Sequence, residues 1–140
     1  MSTKGSENIL RIPLKFGTIT TTYQPAAAVC KLNKGTYHMT WNSAIIGTNM
    51  TNIMYFITAD SSYGLGVWVE LMGLNKYLVG PAQQTLPYIV SISNTVIITQ
   101  DNTPIFPYIS PFSGAVSGYQ TCTGVQYDQM NYLNILKVGP

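Results

Sequence analysis

The stretch Gly35–Ile46, GTYHMTWNSAII, constrains the fold more than any other part of the chain. Tyr37, Met39 and Trp41 alternate with Thr36, His38, Thr40 and Asn42. That is the period of two of a strand with one apolar and one polar face. Lys34-Gly35 supplies a turn before it and Gly47-Thr48-Asn49 a turn after it. The pattern predicts the central strand of a β-sandwich, with Tyr37 and Trp41 entering the core.

Other segments extend that pattern in both directions. Met1–Asn8 reads as a polar arm. Ile9–Phe16 contains Pro13 and reads as an edge strand or as an arm lying on a neighbour. Thr18–Tyr23, β-branched throughout, and Ala26–Leu32, rich in small residues, read as short strands. Asn52–Ala59, Leu65–Met72 and Lys76–Val79 follow, divided by the turn residues Asp60-Ser61-Ser62 and Gly73–Asn75 and closed by Gly80-Pro81. Thr85–Ile92 and Asn94–Gln100 form the next pair, ended by the turn Asp101-Asn102-Thr103-Pro104. Ala115–Cys122 and Met130–Val138 complete the series. Ile105–Phe112, IFPYISPF, carries two prolines among aromatics, so the expectation is a loop or edge segment. Its rings either form a contact surface or fold back onto the core. No heptad, helical stripe or repeat appears, and turns recur every 8–12 residues as in sandwiches and barrels. The expected fold is all-β: an antiparallel sandwich of eight to ten strands.

Charge narrows the function. Only 9% of the 140 residues are charged, against about 25% in an average domain. The polar surface must be built from Ser, Thr, Asn, Gln and Tyr instead. Surfaces destined for burial against other subunits lose Lys, Glu and Asp and gain Tyr and Met, and this chain has 10 tyrosines and 6 methionines. An extracellular lectin-like domain would share part of that bias. The net charge of +2 and the scattered lysines give no basic patch, which argues against a nucleic-acid partner. Apolar runs fall short of the ~20 residues of a membrane span, and the N-terminus has no apolar signal-peptide core.

Nothing in the sequence composes an active site. His38 is the single histidine and lies on the polar face of the central strand. No Gly-x-Ser-x-Gly elbow accompanies it. Asp60, Glu70, Asp101 and Asp128 lie on separate segments, so a facing glycosidase pair is not indicated. Asp101-Asn102 and Asp60 are loop oxygens of a kind that can ligate calcium, but a hard cation wants six to eight oxygens, and ordinary turn chemistry is the expectation. Cys30 and Cys122 with one histidine cannot make a four-ligand zinc site. These two thiols are either free apolar residues or one bridge formed in an oxidising compartment. Gly64-Leu65-Gly66 is a strand entry, not a phosphate loop, and Asn49-Met50-Thr51 is a bare glycosylation triplet. The expectation is a non-enzymatic protein with no cofactor and no metal.

Lys34-Gly35-Thr36-Tyr37, Val96–Ile98 with the turn that follows it, and the closing run Tyr132–Val138 resemble a compact single jelly roll. The resemblance is to the tumour-necrosis-factor and complement-head type, whose architecture is shared by the penton and minor capsid proteins of icosahedral DNA viruses. The Phe-rich loop and terminal Phe-x-Gly-Phe signature of the signalling branch are absent, and the low charge and missing signal peptide direct the resemblance to the viral branch. It implies an arm over 1–16 and a jelly-roll domain over 17–140. It also implies a capsid protein that self-assembles in the host cytoplasm into a virion shell or vertex. The implied partners are copies of itself in a trimer or pentamer, together with other capsid proteins. The alternative it carries is a trimeric fibre head or lectin-like module engaging a glycan or host receptor. Tyr108, Phe112, Ile105, Phe106, Arg11 and Lys15 are the candidate interface residues.

Overall fold

The computed structural model describes residues 9–48, 52–59, 76–79, 87–113 and 118–140, with backbone alone at 48, 52, 76–79 and 111–113. They form nine strands: β1 (Ile9–Pro13), β2 (Cys30–Leu32), β3 (Gly35–Thr48), β4 (Asn52–Thr58), β5 (Lys76–Val79), β6 (Tyr88–Ile98), β7 (Thr103–Ser113), β8 (Gly118–Thr121) and β9 (Tyr132–Gly139). A single 3-10 turn, Val125–Tyr127, is the only helical element among the described residues. The segments 1–8, 49–51, 60–75, 80–86 and 114–117 lie outside the description, and with them the expected strand Leu65–Met72, the turn at Asp60, the Gly80-Pro81 break and Asn49-Met50-Thr51.

Two antiparallel sheets face each other. One runs β1-β9-β3-β6 with β8 also on β3; the other runs β2-β7-β4-β5. The all-β sandwich is therefore present, and its strand order is compatible with a jelly roll. β3 is the organising strand. It pairs with β6 along one side, and with β9 and then β8 along the other. β3 and β8 approach so closely at Gly47 that a Cβ there would collide with the backbone of Gly118 and Tyr119. The alternation expected of β3 is realised, since Tyr37, Met39 and Trp41 are buried while Thr36, His38, Thr40 and Asn42 are half-buried on the outer face.

The core between the sheets gathers Trp41, Tyr55, Met39, Ile45, Ile53, Ile57, Ile109, Tyr119 and Leu133. Trp41 meets Tyr55 edge to face, with ring centroids 5.0 Å apart, the arrangement aromatic quadrupoles favour. A second apolar cluster joins Phe56, Phe106 and Tyr108. Phe56 and Tyr108 stack at 5.4 Å.

Residues 14–29 behave differently from the sequence expectation. Thr18–Tyr23 is not a strand, and Ala26–Leu32 shortens to β2. The segment instead straps the end of the sandwich by single contacts. The Leu14 amide donates to the Asn131 carbonyl, Ile19 and Tyr119 exchange backbone bonds, Tyr23 and Ile109 do likewise, and the Val29 amide donates to Ile105. The Tyr119 hydroxyl, held near the Thr21 and Ile109 carbonyls at 2.8 and 3.0 Å, also accepts the Tyr23 amide. β-Propensity was satisfied by isolated bridges to two different sheets rather than by one ladder.

Two further expectations need correction. Thr85–Ile92 and Asn94–Gln100 are not a pair: over the described residues they are one strand, β6. The Pro-aromatic segment is not a loop or an edge. It is β7, an inner strand between β2 and β4. The reason is directional. A proline harms a ladder only where its missing N–H would have been used. The Ile109 amide and carbonyl face Tyr23, away from β4. Pro107 and Pro111 share its parity, so they leave the bonds to β4 intact. Pro104 has the other parity but lies beyond Thr58↔Phe106, the last pair with β4.

Candidate functional site

Among the described residues, β6 forms one edge of the five-stranded sheet. Its sequence, YIVSISNTVII, contains no charge and no proline. Which of its amides face outward follows from two observations. The Ala44 amide and carbonyl serve Asn131 and Cys122, on the side of β3 away from β6. Even-numbered β3 residues thus turn from β6, and by the register Met39↔Asn94 and Trp41↔Ile92 the even residues of β6 face β3. The Thr95 amide, of odd parity, is taken by the Asn94 side-chain oxygen at 2.8 Å. Ile89, Ser91, Ser93 and Ile97 accordingly aim their backbone groups at the free edge, with no strand beside them among the described residues. Ile97 is 70% exposed and Ile89 59%.

The same sheet's outer face is free of carboxylates among the described residues. Two rows cross it: Arg11, Asn134 and Thr40, and beside them Ile9, Leu136 and His38. The His38 Nδ1 lies 3.3 Å from the Thr95 hydroxyl, so the single histidine occupies the structural polar face the sequence suggested.

Of the candidate interface residues, the structure brings Ile105, Phe106 and Tyr108 inside the protomer, all on β7 and all buried. The backbone of Phe112 continues β7; its side chain is outside the description. Arg11 and Lys15 are exposed. Lys15 pairs with Asp128 at 3.4 Å. Arg11 donates to the Gln129 side-chain oxygen at 2.6 Å and stacks 4.3 Å from the centre of the Tyr132 ring.

The remaining polar groups serve the fold. Asp101 accepts the Lys34 amide at 3.0 Å, and Asn33 accepts the Asn102 amide, which fixes the left-handed Asn102 of the predicted turn. Asp60 and Glu70 lie outside the described residues. No three of His, Cys, Asp and Glu gather into a metal-holding group among those described. Cys30 and Cys122 are free thiols. Burial pushes the Cys30 thiol up to about 11 and raises Cys122 as well, so neither is an activated nucleophile. Sequence reasoning missed Asn131, a buried residue whose side-chain oxygen accepts the Ala44 amide at 3.0 Å. A lone Asn beside a strand carries no pattern that could have revealed it.

No family model and no curated protein matches the chain.

Proposed function

We propose that the chain is a non-enzymatic structural subunit of a virion, and that it builds a shell or vertex by burying the β6 edge against other copies. One observation carries the reading. Among the described residues β6 is an eleven-residue edge strand without charge or proline, and Ile89 and Ile97 within it are exposed. Proteins that stay single protect such edges with lysines, prolines or bulges, because unpaired amides recruit further strands. Among the described residues, only the Asn94 side chain blocks an outward amide, that of Thr95. The charge-poor composition supports the same conclusion, since assembly surfaces are depleted of charge. Pairing one edge with a different surface of the next copy closes a ring of three or five.

Light scattering at micromolar concentration tests the reading. The expected result is a stable oligomer that Ile89→Lys with Ile97→Lys converts to a folded monomer. A monomeric mass for the unmodified chain refutes it.

A further inference from the structure

Away from β6, where β1, β9 and β3 run side by side, the outer face of the five-stranded sheet dips into a concavity of about 370 Å³. Ile9, Arg11, His38, Thr40, Asn134 and Leu136 line it. The register makes it a built arrangement of two rows. Arg11 pairs with Asn134, which pairs with Thr40; Ile9 pairs with Leu136, which pairs with His38. One row is entirely polar and offers a guanidinium, an amide and a hydroxyl. The other supplies two aliphatic side chains and ends on an imidazole. Arg11 and Thr40 stand two strand spacings apart, about 10 Å, and His38, in the other row, is about 12 Å from Arg11. A single small molecule can bridge that span.

Arg11 differs from the exposed lysines in being held. One guanidinium nitrogen is fixed by Gln129 at 2.6 Å, and the group lies over the Tyr132 ring, where a cation is attracted by the π face. A guanidinium has five N–H donors in a rigid fork matched to a carboxylate, and Gln129 uses one side of it. No carboxylate answers it among the described residues. Asp128, the acid next to Gln129 in sequence, is engaged by Lys15. An ordered cation loses less freedom on binding than a free one, which favours a ligand.

We propose that this concavity binds a sugar acid, a small ring carrying a carboxylate and several hydroxyls. The carboxylate meets the Arg11 fork. The hydroxyls meet Asn134, Thr40 and His38, each able to bond an alcohol. The less polar face of the ring rests on Ile9 and Leu136. The volume suits one monosaccharide-sized ligand, at the small end of ordinary binding clefts. The aliphatic pair excludes a bare inorganic anion as the best fit, because a third of the lining side chains would then gain nothing. The lining residues all lie on β1, β9 and β3, so the site is distinct from the β6 edge.

Titration of the intact protein followed by amide NMR at constant ionic strength provides the test, using glucuronate and N-acetylneuraminate as probes and glucose and inorganic phosphate as controls. The expected result is saturable shifts on β1, β9 and β3 with at least one sugar acid, and binding at least tenfold weaker for glucose and for phosphate. Arg11→Gln weakens the sugar acid at least tenfold, and Arg11→Lys weakens it less. Thr40→Val, made on the opposite wall and without effect on the Arg11 contacts, weakens it about threefold or more. Each variant's unshifted resonances on the other sheet certify the fold. The proposal is overturned if neither acid saturates, if phosphate or glucose binds as well, or if Arg11→Gln binds unchanged.

Discussion

β6 and β7 are consecutive strands of equal length, and each occupies the place the other's sequence suggests. β6 is apolar, β-branched and free of proline, yet it forms an edge. β7 contains Pro104, Pro107 and Pro111, yet it is an inner strand. The contrast shows that composition decides whether a segment can be a strand, whereas the direction of its amides decides what it can pair with. β7 tolerates prolines because each missing donor points where no ladder bond is made. β6 retains outward donors that no described strand uses. β7 has strands on both sides, and β6 has one on a single side among the described residues.

The largest effect should come from the buried side of this contrast. Tyr108 is fully buried and stacks on Phe56. Tyr108→Ala should cost about 3–5 kcal/mol, as large-to-small aromatic core changes do, measured by urea unfolding. A loss below about 1 kcal/mol would mean that β7 is not an inner strand, since exposed positions cost about that or less. Ile97→Ala, on β6, should leave folding within about 0.5 kcal/mol while weakening self-association.

A proline scan of β6 sharpens the directional argument. Ile92→Pro deletes an amide facing β3 and should destabilise the protomer by about 3 kcal/mol or more. Ser93→Pro, one residue on, deletes an amide facing the open edge. It should cost far less in folding and still dissociate the oligomer in light scattering. Equal costs at the two positions would break the parity assignment.

These outcomes also mark what was legible beforehand. The alternation in Gly35–Ile46 sufficed to place Tyr37, Met39 and Trp41 in the core, and pairing it with the closing strand was sound, since Met39↔Ile135 and Trp41↔Leu133 are neighbours. The Asp101-Asn102 turn was equally readable, because its side chains act locally on the backbone. β7 was misread because a proline's effect depends on strand parity relative to neighbours distant in sequence. Thr18–Tyr23 was misread because its partners, Tyr119 and Ile109, belong to different sheets. The concavity was illegible for a related reason. Arg11, Thr40 and Asn134 converge through two registers, and no spacing in the chain announces it.

Alkaline pH probes the strands that flank β7. Burial raises the Cys30 thiol on β2 to about 11, and it also raises the Tyr55 phenol on β4, with the Ser43 hydrogen bond opposing. Both groups are neutral when protonated, and the folded state holds those protons more tightly than the unfolded chain. Their contribution is thus complete below the ordinary values of 9.0 and 10.0 and is lost as pH rises through the folded ones. Circular dichroism in fixed urea should show constant stability near neutrality and a decline above about pH 9. Tyr55→Phe should flatten the upper part of that decline. A decline unchanged in Tyr55→Phe would remove Tyr55 from the account.

The smallest expected effect tests the explanation of β7 by its sign. If Pro107 interrupted a ladder, Pro107→Ala would restore a hydrogen bond and stabilise the protein. With its parity facing away from β4, the substitution instead frees the unfolded chain and adds an amide at a buried position that no ladder bond awaits. Both changes disfavour folding, the first by about 0.4–1 kcal/mol. A small loss in urea unfolding supports the directional account, and a gain of similar size would show that β7 is an inner strand in spite of its prolines rather than because they point away.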